Sequence, residues 1–146
     1  MTKNNNDILL RVRATKFDGA LYQVIFKGFK VGDAANDYVL TAGKYVDGSG
    51  SQYADDWLEM DGNKFSARDR DNDQKLNGNC AQIKKGGNWF GSCTKLNFNG
   101  VWYASLPNGD DAYKHMIYWV DIVGGYHNLK TIDLSIRKDV NDDYAV

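Results

Sequence analysis

Residues 64–80 read KFSARDRDNDQKLNGNC, and residues 86–100 read GGNWFGSCTKLNFNG. The first stretch places Asp69, Asp71 and Asp73 at every second position, then turn-forming residues, then Cys80; the second carries Cys93. Carboxylates this close together raise one another's pKa unless solvent or a cation offsets their charge. One reading is a solvated acidic turn with Arg68 and Arg70 as neutralising neighbours. The other is a hard-cation loop, in which alternating Asp side chains and the carbonyls of the following turns supply the oxygens that calcium takes. An EF-hand is excluded, because it needs Gly at the sixth loop position and Glu at the twelfth. Counted from Asp69, those positions are Gln74 and Cys80.

Outward from this stretch the texture divides the chain. Between Asn63 and Gly109 Gly, Asn and Asp are frequent, with interspersed aromatics and little sustained period. Ordered irregular segments of this kind commonly carry function. On either side strand signals dominate. Leu10, Val12 and Ala14 alternate with Arg11, Arg13 and Thr15, and Asp18-Gly19 separates this run from Leu21–Phe26, which predicts a hairpin. Tyr38–Thr41 reads as a further strand, Ile132–Arg137 as a strand near the C-terminus, and Met116–Val120 as a strand buried on both faces. One short helix is predicted near Ser51–Trp57.

Composition narrows the function classes. The 146 residues suit one domain, and 42% hydrophobic with 13% aromatic residues is too much apolar surface for a disordered chain. With 18 basic and 19 acidic residues intermixed, no basic field is present to draw nucleic acid. No apolar run approaches the roughly 18 residues of a membrane span, and Met1–Asp7 has no signal-peptide core, so a soluble chain is expected. The two cysteines leave a disulfide and two buried thiols equally open, and no Cys or His cluster has zinc-ligand spacing.

Taken in order, Lys64–Asp73, Gly78-Asn79-Cys80-Ala81-Gln82, Gly86–Cys93 and Leu96–Gly100 closely resemble the fibrinogen C-terminal domain family, which includes ficolins, tachylectins, angiopoietins and tenascins. Asp18-Gly19, Val31-Gly32-Asp33, Tyr38-Val39-Leu40, Ile117-Tyr118-Trp119, Leu129-Lys130 and Ile136-Arg137 look like further segments of that pattern. The resemblance implies an α+β fold, mainly antiparallel sheet with short helices and a loop-rich calcium-binding C-terminal subdomain. Residues 1–62 would be the central sheet subdomain and 63–146 the calcium- and ligand-binding subdomain, with its last strand returning to the sheet. The family's N-terminal subdomain has no counterpart, and Thr2–Asn5 look like the residues just before the central one. Its absence would leave edge or apolar surface at Ile8–Arg13 or its sheet neighbours, which predicts a homo-oligomer.

The same resemblance implies that Cys80 and Cys93 form a disulfide beside a calcium site, which favours a secreted, extracellular protein. Calcium would take the side chains of Asp71 and Asp73 and the carbonyls of Lys75 and Asn77, with Asp69 outside that shell. A ligand pocket beside the metal would use Ser92, Cys93, Thr94 and Tyr113, with an uncommon cis peptide at Ser92–Cys93. This sequence departs from the family there. Thr94 replaces a common His, Asn88 replaces the first Trp of a pair, Lys114 stands where fibrinogen has an acid, and a further pocket position falls near Gly125 and Tyr126. Trp89, Phe90 and Trp102 read as packing aromatics, and His115 and His127 as surface or strand residues. No catalytic arrangement is present, so an enzyme is not expected. The leading expectation is a calcium-dependent, lectin-like module of innate defence binding acetylated glycans. The alternative is a protein-interaction domain in which calcium is purely structural.

Overall fold

The computed structural model describes residues 8–105, 107–108, 111–120 and 128–140. Its frame is a four-stranded antiparallel sheet in the order β5-β2-β1-β8, built from β1 (Ile8–Thr15), β2 (Leu21–Lys27), β5 (Lys44–Asp47) and β8 (Thr131–Lys138). The hairpin predicted at Asp18-Gly19 joins β1 to β2. Register follows from the alternation in β1. Leu10, Val12 and Ala14 stand opposite Phe26, Val24 and Tyr22 on one side and Ile136, Leu134 and Ile132 on the other. The intervening residues face outward, where Arg11 donates to Ser135 and Arg13 pairs with Asp133 across the strands. β1 and β2 are therefore internal, β5 and β8 are the outer strands of the sheet among the described residues, and Ile136 on β8 is exposed.

Two short ladders, β3 (Lys30–Val31) with β4 (Leu40–Thr41) and β6 (Leu96–Asn97) with β7 (Tyr118–Trp119), flank this sheet. The strand read over Tyr38–Thr41 is shorter than expected. Asp37 and Tyr38 both have left-handed backbones, with φ of 52° and 54°, because Asp37 closes a one-turn 3-10 helix over Ala34–Asn36. The expected buried strand at Met116–Val120 contracts to β7, with Met116 in a lone bridge to Val101. Near Ser51–Trp57 a 3-10 turn at Ser51–Tyr53 leads into α1 (Ala54–Leu58). A second helix, α2 (Cys80–Lys84), has no periodicity to announce it and is set by its ends: Asn79 caps it by accepting from the Gln82 N–H, and Lys85 stops it in the left-handed region.

The sheet's inner face packs on Trp57 of α1. This fully buried indole donates to the Ala42 carbonyl and lies 5.8 Å from the Phe26 ring and 6.3 Å from those of Phe29 and Phe98. From Phe98 the aromatic contacts continue to Trp89 and then Phe65, tying the Asn63–Gly109 region to the sheet. The main core also takes in Leu96, Trp119 and Leu129. A small satellite of Cys80, Ala81 and Phe90 sits under the acidic loop.

Candidate functional site

The acidic loop is held by backbone contacts at each end. Ser66 and Asn88 pair through both backbone N–H groups, the Ser66 hydroxyl accepts from the Asn72 N–H, and the Asn72 side chain donates to the Phe65 carbonyl. Asn88, where the family has Trp, is fully buried; its amide donates to the Leu96 carbonyl and accepts from the Trp89 N–H. The two glycines before it are required by close approach. A Cβ on Gly86 would stand 2.0 Å from the Asn99 carbonyl oxygen, and one on Gly87 would stand 2.7 Å from the Phe65 ring.

Within the loop the three aspartates have different surroundings. Asp73 accepts from the Lys75 N–H at 2.8 Å and the Cys80 N–H at 2.7 Å, one with each carboxylate oxygen. Asp71 is exposed and, among the described residues, accepts only the Asp73 N–H, at 3.2 Å, and Asp69 is exposed. Of the two flanking arginines, Arg70 turns away from them and pairs with Asp37, which Lys64 also contacts. Hydrogen bonds from Lys64 and Arg70 hold the Asp37 carboxyl below the usual carboxylate range. Among the described residues, no three His, Cys, Asp or Glu side chains gather to hold a metal ion. The loop carries the carboxylates of Asp69, Asp71 and Asp73 as side-chain oxygen donors.

Cys80 and Cys93 are joined in a disulfide with Cα atoms 5.5 Å apart, and the Ser92–Cys93 peptide is cis. The Gln74 N–H donates to the Gly91 carbonyl at 3.0 Å, a second tie between the acidic loop and the Phe90–Cys93 segment. A groove of about 410 Å³ opens beside this cross-tied unit. It is lined by residues of the Gly91–Lys95 segment, by Lys75, Ile83 and Lys84, and by Glu59, Met60 and Asn63. The Thr94 hydroxyl is bonded to Leu96, donating to its carbonyl at 3.0 Å and accepting from its N–H. The Thr94 carbonyl accepts from the buried Tyr118 hydroxyl, and the Lys84 ammonium lies 5.1 Å from the centre of the Tyr118 ring. Burial pushes the Lys84 pKa down. Lys95 is held by Glu59 at 2.7 Å and by the buried Asp56 at 3.7 Å.

Ser92, Cys93 and Thr94 thus converge, whereas Tyr113 does not line the groove: it is exposed on a 3-10 turn, with the Lys114 ammonium 6.0 Å from its ring centre. Gly125, Tyr126 and His127 fall outside the described residues. His115 is buried rather than on the surface, its ring nitrogen 2.8 Å from the Tyr103 hydroxyl. Phe90 and Trp89 pack as expected, while Trp102 remains 54% exposed and is fixed by an indole bond to the Lys130 carbonyl. Sequence reasoning missed Lys84 and Lys95 and read Asn88 only as a departure from the family's Trp; the run Ile83-Lys84-Lys85 three residues after a cysteine was the available signal for the first.

The family model for the C-terminal globular domain of fibrinogen beta and gamma chains matches residues 1–139. Fibrinogen-like protein 1 of Rattus norvegicus is 33% identical over 143 residues, covering 90% of this chain and 43% of that protein. Angiopoietin-related protein 7 of Homo sapiens is 35% identical over 133 residues, covering 89% of this chain and 36% of that one. The fibrinogen-like globe domain of human ANGPTL6 superposes with a TM-score of 0.81 at 29% identity, covering 90% of this chain and 57% of that domain. That of human ANGPTL2 gives 0.81 at 30%, covering 92% and 60%. The chain therefore spans less than half the length of these curated relatives. By its matched pattern and its superposition on these globes, the chain belongs to the fibrinogen C-terminal globular domain family.

Proposed function

We propose that this domain is a non-catalytic recognition module that binds an extracellular protein through the groove beside Cys80–Cys93. The observation that carries the reading is the cross-tying of the groove wall. The disulfide, the Gln74–Gly91 bond and the Asp73–Cys80 bond make one relatively rigid surface from two irregular segments, and such preorganisation lowers the entropic cost of binding. Its kinship with fibrinogen-like and angiopoietin-related proteins supports a module of this class. An oxidised Cys pair supports an extracellular setting.

Calcium belongs to this reading as a structural ion. The donor chemistry fits: Asp71 and Asp73 offer hard carboxylate oxygens with no ion pair among the described residues, and the carbonyls of Lys75 and Asn77 follow in the same loop as further candidates. Bound there, calcium would offset the charge of the loop and stiffen it. Recognition of acetylated glycans is the second reading, favoured by the convergence of Ser92, Cys93 and Thr94 on one side of the groove.

Both readings are tested on a panel of purified extracellular proteins and on N-acetylglucosamine, with calcium and with chelator. The expected result is a protein hit that Gly91→Phe abolishes and Ile136→Lys, on β8, leaves intact. Saturable N-acetylglucosamine binding without such a hit would overturn the protein reading in favour of the glycan.

A further inference from the structure

We propose that Asn77-Gly78 is a self-modifying site beside the groove, where the Asn77 amide is lost through a cyclic imide to leave isoaspartate or aspartate. The reaction needs a side-chain amide open to solvent, a following backbone N–H that is not engaged, and a chain able to swing that nitrogen onto the amide carbon. Asn-Gly pairs suit it because glycine has no Cβ to obstruct the approach. The chain carries three, at 77-78, 99-100 and 108-109, and Gly109 lies outside the described residues.

Asn77 meets each requirement. It is exposed next to Leu76, itself 97% exposed, and among the described residues neither Leu76, Asn77 nor Gly78 makes a hydrogen bond. The arc is held only at its ends, where Asp73 accepts the Lys75 and Cys80 N–H groups and Asn79 caps α2. A Cβ placed on Gly78 would come no closer than 3.5 Å to any atom outside its chain neighbours, so the backbone has room to turn. Asn99 is the internal contrast. Its amide donates to the Gly87 carbonyl at 3.0 Å, and a Cβ on Gly100 would stand 2.3 Å from the Asn97 amide nitrogen and 2.5 Å from the His115 carbonyl oxygen. The same dipeptide is thus loose at one place and locked at the other.

The step balances with water alone. The Gly78 nitrogen gives up its proton and bonds to the Asn77 Cγ, and ammonia leaves. Water then opens the imide at Cγ to give aspartate, or at the main-chain carbonyl to give isoaspartate, whose chain runs on through Cβ and Cγ. Either product adds a fourth carboxylate to a loop that already holds Asp69, Asp71 and Asp73. Lys75 lines the groove and makes no ion pair among the described residues, and its Cε lies 3.5 Å from where a Gly78 Cβ would stand. A carboxylate at position 77 falls within the screening length of that ammonium and favours its charged form. Conversion therefore alters the charge that the groove presents to a partner; this consequence rests on the recognition reading above, whereas the chemistry at Asn77 does not.

The experiment ages the purified domain in chelator at mildly alkaline pH and follows each asparagine by tryptic peptide mapping after reduction. A protein isoaspartyl methyltransferase counts the isoaspartyl carboxylates. Cleavage after Lys75 and Lys84 isolates Asn77 together with Asn79, and Asn79, bonded to Ala67 and Gln82, should stay amidated. Asn77 should convert about tenfold faster than Asn99, the separation that a retained hydrogen bond and a held backbone give. Denaturant should erase that difference. Asn77→Gln, which would need a larger ring, should abolish methyl acceptance from this peptide, and Asn77→Asp should raise the Lys75 pKa in an NMR titration of the labelled domain. Conversion of Asn77 no faster than Asn99 in the folded domain would overturn the site. A Lys75 titration identical in Asn77→Asp and the unsubstituted domain would overturn its coupling to the groove.

Discussion

Asp71 and Asp73 look interchangeable in the sequence and are not so in the fold. Asp73 satisfies the N–H groups of Lys75 and Cys80 without any cation, whereas among the described residues Asp71 accepts only the Asp73 N–H. Asp73→Ala should therefore cost about 2 kcal/mol even in chelator, since two N–H groups lose a charged acceptor. Asp71→Ala should leave stability in chelator nearly unchanged and, if calcium is the structural ion proposed above, remove the rise in melting temperature that calcium would give, as scanning calorimetry with and without calcium would show. His115 supplies a pH dependence of known sign. Burial, and then the charge of Lys85, lower its pKa below the usual histidine value. The unfolded chain then takes up the proton first as pH falls below about 6.5. The stability from neutral His115 is fully present above that pH and declines toward the folded pKa. His115→Gln should flatten the fall in melting temperature between about pH 7 and pH 5; a fall as steep as that of the unsubstituted protein would refute this.

At the scale of elements, α2 and the strand at Leu40–Thr41 show where local pattern loses to context. A five-residue helix offers no period to read, and α2 exists because Asn79 and Lys85 cap it and the disulfide fixes its first residue. Tyr38 carries strand propensity, but its carbonyl accepts the Trp89 indole at 2.8 Å and its neighbour Asp37 is drawn out by Lys64 and Arg70. The disulfide closes a short loop with its cysteines 13 positions apart. Replacing both with Ala should lower the unfolding free energy by about 3 kcal/mol in the chain-entropy description. Denaturant titration reads this directly, and a loss below about 1 kcal/mol would mean that backbone ties such as Gln74–Gly91 already restrict the unfolded loop.

For the molecule as a whole, Trp57 is the joint between sheet and loops. Trp57→Ala should cost about 3–5 kcal/mol. Because the Phe26–Trp57–Phe98–Trp89 contacts are continuous, tyrosine exposure from the sheet and loss of groove binding should occur together in one transition; separate transitions would divide the domain near residue 62. Self-association belongs to the same scale. β1 is paired on both sides, and of the two outer strands, β5 and β8, association is expected at β8, where Ile136 is 64% exposed. Ile136→Lys should shift any dimer toward monomer in analytical ultracentrifugation.

The sequence by itself determined the strands that alternate, the hairpin at Asp18-Gly19, the spacing of the loop carboxylates and, through a motif spread over most of the chain, the family. These are legible because alternation, turn chemistry and motif order lie along the chain. Only the tertiary structure decided that Asn88 staples the acidic loop to Leu96, that Arg70 turns to Asp37, and that Lys75, Lys84 and Lys95 meet Glu59 at one groove while Tyr113 stays outside it. Those outcomes depend on packing between segments far apart in sequence, where no local period records which side chains will meet.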